Sequence, residues 1–373
     1  MRVLFVNDHL GYSGGVVHGG TTLFYSILPR LNRNGIDASL CILKPYHEAA
    51  EIFEQEGVSP IFLGRTKWDP RALFDLIQLV RDLEVDIIHL HTMKAFLLGR
   101  IVAAVTGCRV VMHFHDTNRP SRPIGIVQRL LTPWVDVALA VAPHVKEMIV
   151  DAYNIPEEQI KILPNAINLN RFRSSDSRVT GDLRKEWGAD RLTPVIGVIG
   201  RLSEGKGQDL LIRSLPALLN RVSDVKIVIV GDGPKRSALE LLSNNLDLTD
   251  NIHFTGHRSD IPVIVNAVDI VAHPSVLNEG FGLVLLEGMA AGKPVVAFDV
   301  GAASMLIDPC KSGMLISKGD MEGFIRNLKR LVCSKELRVK LGREAQKQAG
   351  NYGLSTYVSK LSTIYQDVIT CQK

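Results

Sequence analysis

Hydrophobic and polar residues follow two alternating patterns along the chain. Short runs rich in β-branched residues predict strands, and longer stretches between them carry apolar residues at helical spacing. The helical stretches of the first half include residues 21–31, 71–83, 95–105 and 145–153. The strand-like runs are RVLFVN, ASLCIL, SPIFL, DIIHLH, RVVMHFH, DVALAV and IKIL, followed by TPVIGVIG, KIVIVG, NIHFTG, DIVAH, PVVAF and GMLI. Strands that alternate with helices build parallel sheets, so the pattern predicts an α/β protein.

The chain is too long for one hydrophobic core of ordinary size, because it has 373 residues. The strand–helix pattern stops at a polar run, SSDSRVTGD, and then restarts. We therefore predict two Rossmann-like domains, residues 1–170 and 171–350, joined near residues 165–190 and followed by an amphipathic helix over 351–373. Ligands of such sheets bind outside the carboxyl ends of the strands, so the functional site is expected in a cleft between the domains.

Composition narrows the class of protein. Hydrophobic residues make up 46% and charged residues 22% of the chain, which is typical of a globular protein. The net charge of +4 favours an anionic ligand or a loose membrane contact and is too small to indicate nucleic acid. Five scattered cysteines without a C-x-x-C pair indicate a reduced, cytoplasmic protein without disulfides or structural zinc. The first residues already form a strand, so no signal peptide is expected, and any membrane contact would be at the surface.

The run GRLSEGKG, residues 200–207, lies between a predicted strand and a predicted helix. A glycine-rich turn at a helix N-terminus binds phosphate through its free amides, and Arg201 and Lys206 add positive charge. The run nearly matches the Walker A motif, but Gly207 stands where the hydroxyl that ligates Mg²⁺ would be. We interpret it as a phosphate site; a tight turn with two solvated cations is the structural alternative.

Two other glycine-rich runs follow strands. VGDGPKR resembles the start of a dinucleotide fingerprint but lacks the third glycine, so it predicts a turn near the ligand. The loop GYSGGVVHGGTT, residues 11–22, indicates either backbone close to a ligand or a merely flexible loop.

Histidines mark the ends of two strands. In HFHD, alternation places His113 and His115 on one face, and His115 is nearer the carboxyl end. A satisfied core histidine is the structural alternative, and the same choice applies to His89 and His91. Because these histidines come from separate strands and no H-E-x-x-H run occurs, we predict no metal site.

The run NEGFGLVLLEG, residues 278–288, sets two carboxylates around an apolar helix start. If the helix begins near Phe281 and Gly282, Glu279 lies in the loop before it and Glu287 about 7.5 Å along its axis. A phosphate bound by the free amides at the helix start would place the ribose of a nucleoside beside Glu287. Glu279 would then lie near the group attached to the far phosphate. A solvated or salt-bridged pair is the alternative, which suits Glu287 poorly because its neighbours are apolar.

These runs, with LPNAINLNRF and HPSVLNEGFGLVLLEGMAAGKPVVAFDVGA, resemble the family 4 glycosyltransferases of GT-B fold over nearly the whole chain. The E-x7-E spacing of Glu279 and Glu287, with Arg201 and Lys206, carries the resemblance. It implies that the final helix returns to an acceptor-binding first domain, while the second domain binds the donor. The implied reaction is retaining transfer of a sugar from a UDP- or GDP-linked donor to a glycan or lipid-linked acceptor, as in cell-surface polysaccharide or glycolipid assembly. The resemblance implies neither a bound metal nor another cofactor.

The resemblance also assigns roles by position. The residues implied to contact the diphosphate are Arg201, Lys206, Gly19 and the amides of Gly280, Phe281 and Gly282. Glu287 would bind the ribose, Glu279 the hydroxyls of the donor sugar, and His115 would lie beside that sugar. The glycine pair of the family reads His18-Gly19 here, which leaves the register of the loop over residues 11–22 open. The run ILPNAINLNRF also departs from the family, with Ala166 and Asn168 in place of its usual glycine and aspartate.

The acceptor is harder to predict. One region of the first domain contains a single acid, Asp116, among the basic residues Lys94, Arg100, Arg109, Arg119, Arg122 and Arg129. With the stretch IGIVQRLLTPW, they indicate either a lipid-linked or anionic acceptor surface, in peripheral contact with the inner face of the cell membrane, or a solvated helix face. No nucleic-acid partner is expected.

Three other function classes remain open at this point. An NTPase or nucleotide-binding switch would bind a nucleoside triphosphate with Mg²⁺ and would need the hydroxyl that Gly207 lacks. A related epimerase or phosphorylase would act on one substrate or use inorganic phosphate, and a non-catalytic sensor would bind a sugar nucleotide without turnover. Release of diphosphate from a sugar nucleotide in the presence of an acceptor separates these classes.

Overall fold

The structure of the protein, a computed structural model, describes residues 1–12, 16–17, 19–66, 69–173, 176–222 and 224–370. The chain forms two compact units, Met1–Ala166 with Leu354–Lys373, and Ile167–Gly353. The domain limits predicted at residues 170 and 350 lie a few residues from these. The acceptor and donor roles assigned to the two domains stay predictions.

The first unit is built on a parallel sheet. The described strands of this unit are β1 Arg2–Asn7, β2 Gly11–Tyr12, β3 Val16–Val17, β4 Asp37–Ile42, β5 Ile61–Phe62, β6 Ile87–Leu90, β7 Arg109–Phe114, β8 Val137–Ala140 and β9 Ile160–Ile162. Strands β2 and β3 form a separate antiparallel pair, and the other seven form the sheet in the order β5-β4-β1-β6-β7-β8-β9. Its helices are α1 Gly19–Arg33, α2 Ala50–Gln55, α3 Arg71–Asp82, α4 Met93–Thr106, α5 Arg122–Leu130 and α6 Pro143–Tyr153, with 3-10 turns at Thr132–Trp134 and Glu157–Gln159.

The second unit is built on a parallel sheet of six described strands. These are β10 Val195–Ile199, β11 Lys226–Val230, β12 Ile252–Gly256, β13 Ile270–His273, β14 Val295–Phe298 and β15 Gly313–Ile316. Their order in the sheet is β12-β11-β10-β13-β14-β15. The helices are α7 Asn170–Arg173, α8 Ser177–Glu186, α9 Gln208–Leu219, α10 Arg236–Asn245, α11 Ile261–Ala267, α12 Leu283–Ala290, α13 Ala303–Leu306, α14 Met321–Cys333 and α15 Lys335–Ala349, followed by a 3-10 turn at Gly350–Tyr352.

Strand order places one switch point in each sheet. From β10 the chain builds outward through β11 and β12, and it then returns to β13 beside β10 and builds the other half. In the first unit the corresponding neighbours are β1 and β6. Ligands of open α/β sheets bind at the carboxyl ends of such neighbouring strands. The loops after β10, β13, β1 and β6 are therefore the places to look for function.

The last helix, α16 Leu354–Thr370, belongs to the first unit, which confirms that prediction. Tyr357, Leu361 and Tyr365 are buried in the same core as Phe5 and Leu28 of the first domain. An amphipathic helix is stabilised when its apolar stripe is removed from water, and the predicted spacing supplies that stripe.

The polar run after residue 173 differs from expectation. Most of it is helix α8 rather than a linker, and it belongs to the second unit. The side chain of Asp176 accepts a hydrogen bond from the amide of Arg178 and so caps the helix. Leu183 is the one buried residue of α8. The helix therefore lacks the repeated apolar positions by which helices are predicted from sequence.

Candidate functional site

The loop over residues 200–207 follows β10 and leads into α9, as predicted. Its last residue, Gly207, has a φ of 78°, and a Cβ there would lie 2.0 Å from the carbonyl oxygen of Pro274. A serine or threonine at this position would collide with backbone that cannot move aside. The absence of the Walker A hydroxyl is therefore a requirement of how this loop packs against the end of β13.

The second glycine-rich run, after β11, supports this loop. A Cβ on Gly231 would lie 2.1 Å from the carbonyl oxygen of Gly200, and one on Gly233 would lie 2.4 Å from that of Leu202. The amide of Leu202 donates to the carbonyl oxygen of Asp232 at 2.9 Å. The glycines after β11 thus allow two backbone segments to touch.

The loop between β13 and α12 is joined to the same structure. The amide of Val276 donates to the carbonyl oxygen of Gly205 at 2.9 Å. Gly282, with a φ of 75°, is the N-cap residue of α12, and Glu279 lies in the loop before it, as predicted. A Cβ on Gly301 would lie 2.4 Å from the carbonyl oxygen of Glu279, so a third loop holds the backbone of this carboxylate.

Glu279 is an ionised carboxylate that contacts Lys206 and His273. Lys206 Nζ lies 2.8 Å from Glu279 Oε1, and His273 Nε2 lies 3.3 Å from the same atom. Burial acts to raise the pKa of Glu279, but the hydrogen bonds and charges of His273 and Lys206 outweigh it and lower the pKa to about 2. The predicted diphosphate residue and the predicted sugar residue are thus in direct contact.

The pKa of Glu287 is shifted in the opposite direction to that of Glu279. Glu287 is partly buried in α12, and burial raises the pKa of its carboxyl to about 7, although the charge of Arg171 acts to lower it. A carboxyl with such a pKa is divided between its two protonation states near neutral pH. A ligand that donates hydrogen bonds to it would favour the ionised form.

The remaining predicted residues of this unit lie at the same edge of the sheet. Arg201 is exposed, and its guanidinium makes no hydrogen bond or ion pair to the described part of the chain. Phe281 is 4% exposed and its ring centroid lies 6.1 Å from that of Tyr352, so this aromatic residue fixes the loop. Gly280 is buried beside it. The second unit therefore brings together seven of the nine predicted residues.

The other two predicted residues, Gly19 and His115, belong to the first unit. Gly19 begins α1, while residues 13–15 and 18 lie outside the described residues, so the register of that loop stays a prediction. His115 follows β7, and burial lowers its pKa to about 4 against the opposing effects of Asp116 and Asn165. Its imidazole is therefore neutral near pH 7.

Sequence reasoning missed two residues of the second unit. His273 ends β13 and contacts Glu279, and Arg171 in α7 supplies the charge near Glu287. The signal for His273 was its place at a strand's carboxyl end, the same criterion that selected His115. No comparable signal marked Arg171, because only the fold brings α7 close to α12.

Histidines on separate strands come together in the first unit, contrary to the prediction. β6 and β7 are neighbours, and ring nitrogens of His89, His91 and His113 lie within 4.8 Å of one another. All three side chains are buried. The structure therefore contains a cluster of histidines that was not predicted from the sequence.

The basic region predicted around the acceptor is partly neutralised. Arg100 is fully buried and donates to the carbonyl oxygens of Phe96 and Gln128. Arg109 pairs with Asp136 at 3.0 Å, and Arg119 pairs with Asp151. Counting Arg100 as a surface cation was wrong, because sequence charge does not reveal burial. Among the described helices, none is both long and apolar enough to cross a bilayer.

Comparison with known proteins gives the family. The model described as Glycosyl transferases group 1 matches residues 180–348, and the model described as Glycosyltransferase Family 4 matches residues 17–171. D-inositol 3-phosphate glycosyltransferase of Corynebacterium jeikeium is 31% identical over 59% of this chain, which spans only 54% of that relative. UDP-Gal:alpha-D-GlcNAc-diphosphoundecaprenol alpha-1,3-galactosyltransferase of Escherichia coli is 27% identical over 81% of this chain and 80% of its own length.

A solved structure has the same fold. The Anabaena protein Alr3699/HepE in complex with UDP superposes with a TM-score of 0.85 at 23% identity, covering 98% of this chain and 100% of that one. The two family models together account for most of the sequence, in agreement with the motifs that the structure brings to one sheet edge. The chain therefore belongs to glycosyltransferase family 4 and has the GT-B fold.

Proposed function

We propose that the protein is a retaining, metal-independent hexosyltransferase. It moves a sugar from a UDP- or GDP-linked donor to a glycan or lipid-linked acceptor, as in cell-surface polysaccharide or glycolipid assembly. The observation that carries the proposal is the contact between the two loops of the second unit, which places Lys206 against Glu279 at the start of α12. A relative whose name states a UDP-Gal donor and a diphosphoundecaprenol acceptor supports both substrate classes.

The charges support a reaction without a metal. Breaking the bond between sugar and diphosphate builds negative charge on the departing phosphate and positive charge on the sugar. Arg201, Lys206 and the free amides of Gly280, Phe281 and Gly282 supply the positive ends that stabilise this phosphate. Each charge-assisted hydrogen bond contributes about 1.5–3 kcal/mol. Glu279 stays ionised and faces the sugar, where it accepts from the hydroxyls.

The stereochemical outcome follows from what can act as the nucleophile. In the proposed mechanism the acceptor hydroxyl attacks on the face from which the diphosphate leaves, and the departing phosphate oxygen accepts its proton. His115 of the first unit is proposed to contact the donor sugar as a neutral imidazole, and Gly19 to approach the phosphates. Retention then needs no covalent intermediate on the protein.

One surface of the first unit supports the proposal of a lipid-linked acceptor. On α5 and the turn after it, Ile126, Val127, Leu130 and Trp134 are exposed, with Ile126 and Leu130 at 63% and 69%. Arg122, also exposed, begins this helix. Exposed apolar residues beside a cation suit the boundary of an anionic lipid surface. We propose that this α5 patch holds the protein at the membrane that carries its acceptor.

A donor and acceptor panel tests the proposal. We expect release of UDP or GDP from one sugar nucleotide only when a lipid-linked or glycan acceptor is present, with an unchanged rate in excess EDTA. A lipid-linked acceptor should react faster in anionic than in neutral vesicles, and replacing Ile126 and Leu130 by serine should remove that difference. Proton NMR of the product should show the donor's anomeric configuration. Loss of activity in EDTA, inversion, or diphosphate release without acceptor would contradict the respective part of the proposal.

A further inference from the structure

Four imidazoles lie side by side at the carboxyl ends of β6 and β7 in the first unit. The ring centroids of His89 and His91 are 4.3 Å apart, those of His113 and His115 are 4.2 Å apart, and those of His91 and His115 are 5.2 Å apart. The ring of Phe5 stacks on His91 at 5.4 Å with an interplanar angle of 11°. The cluster is thus packed tightly around His91.

Hydrogen bonds divide this cluster into fixed and unfixed rings. His91 Nδ1 lies 2.9 Å from His115 Nε2, and His89 Nδ1 lies 2.5 Å from the hydroxyl of Tyr365 on α16. Neither ring nitrogen of His113 makes a hydrogen bond to the described part of the protein. His115 is therefore held by the hydrogen bond with His91, with the side chain of Asn165 as a second partner, while His113 contributes packing alone.

The cluster is better suited to hydrogen bonding than to a metal ion. Ring nitrogens of His89, His91 and His113 lie within 4.8 Å of one another. The rings of His89 and His113 are stacked with their planes 5° apart, so their lone pairs lie in nearly parallel planes and do not converge on one ion. Burial and the neighbouring histidines lower the pKa of all three, so the rings are neutral near pH 7.

We propose that His91 is a positioning residue for His115 in glycosyl transfer. In the bond between His91 Nδ1 and His115 Nε2 one ring nitrogen donates and the other accepts, so the bond couples the tautomer of His115 to that of His91 and holds the His115 ring in one orientation. In a functional histidine one ring nitrogen faces the ligand and the other bonds to a neighbouring residue. That neighbour influences which of the two nitrogens carries the proton. Stacking by Phe5 holds His91 in turn. The inference rests on the proposed function, because it assigns His115 to the donor sugar.

The experiment compares His91→Leu, His91→Asn and His113→Leu. Leucine fills the site without a hydrogen bond, while the amide of asparagine reaches the position of Nδ1. We expect His91→Leu to lower kcat about 10- to 100-fold with an unchanged Kd for UDP, which is the loss of one or two well-made hydrogen bonds. His91→Asn should recover most of that loss. His113→Leu is the control for packing and should change kcat by less than about threefold.

Nitrogen-15 NMR of histidine-labelled protein reads the tautomer directly. We expect one tautomer of His115 in the wild type and in His91→Asn, and a mixture in His91→Leu. Equal kcat in wild type and His91→Leu would overturn the inference while leaving the proposed function intact. If no donor supports transfer, the proposed function fails, and an unchanged tautomer in His91→Leu would overturn the positioning role as well. Stoichiometric zinc, nickel or copper in the purified protein would assign the cluster to metal binding instead.

Discussion

Glu279→Gln is expected to lower kcat about 100- to 1,000-fold while leaving the Kd for the nucleotide sugar within about threefold. Glutamine keeps the size of the side chain and removes its charge. In the wild type this charge is present throughout the working pH range, because His273 and Lys206 lower the pKa of Glu279 to about 2 despite its burial. A fixed carboxylate stabilises the sugar as it becomes positive and strengthens its bonds to the sugar hydroxyls in the transition state.

The direction in which the affinity for UDP changes in Glu279→Gln separates a catalytic role of Glu279 from a structural one. Lys206 is paired with Glu279 at 2.8 Å, so the glutamine variant frees its ammonium for the diphosphate. UDP itself should therefore bind with equal or higher affinity in Glu279→Gln. Steady-state kinetics and calorimetric titration of UDP measure the two effects. Glu336→Gln, on the exposed first turn of α15, is a matched control and should match the wild type in both.

An unchanged kcat in Glu279→Gln would remove this residue from the chemistry. A parallel loss of UDP affinity and thermal stability would show instead that the pair with Lys206 mainly holds the two loops together.

Glu287→Gln is expected to raise the Kd for the nucleotide sugar about 10- to 100-fold at pH 8, which corresponds to losing charged hydrogen bonds worth about 1.5–3 kcal/mol. The proposed partner is the ribose, whose two hydroxyls donate to the carboxylate. Because burial raises the pKa of Glu287 to about 7, a large part of the free protein holds this group protonated near neutral pH. A protonated carboxyl accepts fewer hydrogen bonds.

This protonation makes binding depend on pH in one direction. Donor binding favours the carboxylate, so it lowers the pKa of Glu287 and releases a proton. The Kd of the wild type should fall about tenfold from pH 6 to pH 8 and then level off. The buried His115, with a pKa of about 4, does not titrate in this window. Glu287→Gln should show a flat profile.

The measurement is calorimetry with an intact nucleotide sugar and no acceptor, in buffers of different ionisation enthalpy. UDP is unsuitable, because its terminal phosphate titrates near pH 6. Proton uptake on binding, or the same slope in wild type and Glu287→Gln, would contradict the assignment to the ribose.

Hydrophobic periodicity was sufficient to predict most elements of both sheets, because buried parallel strands and amphipathic helices have distinct apolar spacings. Helix α8 was not predicted, because it buries little apolar surface and its first residue is set by the N-cap at Asp176. The exposed polar face of a helix and a polar linker have similar composition, so only the structure separates them.

The positions of the candidate site residues in the second unit were predictable where those residues follow a strand in sequence. Arg201, Lys206 and Glu279 lie in the loops where they were expected. The contact between Lys206 and Glu279 was not predictable, because it depends on β13 returning to lie beside β10. The histidine cluster was missed for the same reason, since strand order is not visible in local sequence patterns.

A crystal structure of the protein with bound UDP or GDP would show directly which residues hold the nucleotide. We expect diphosphate oxygens within hydrogen-bond distance of Arg201 and Lys206 and of the amides at the start of α12, with the ribose hydroxyls on Glu287. A nucleotide held by other residues, with both loops of the second unit left without ligand, would contradict this expectation.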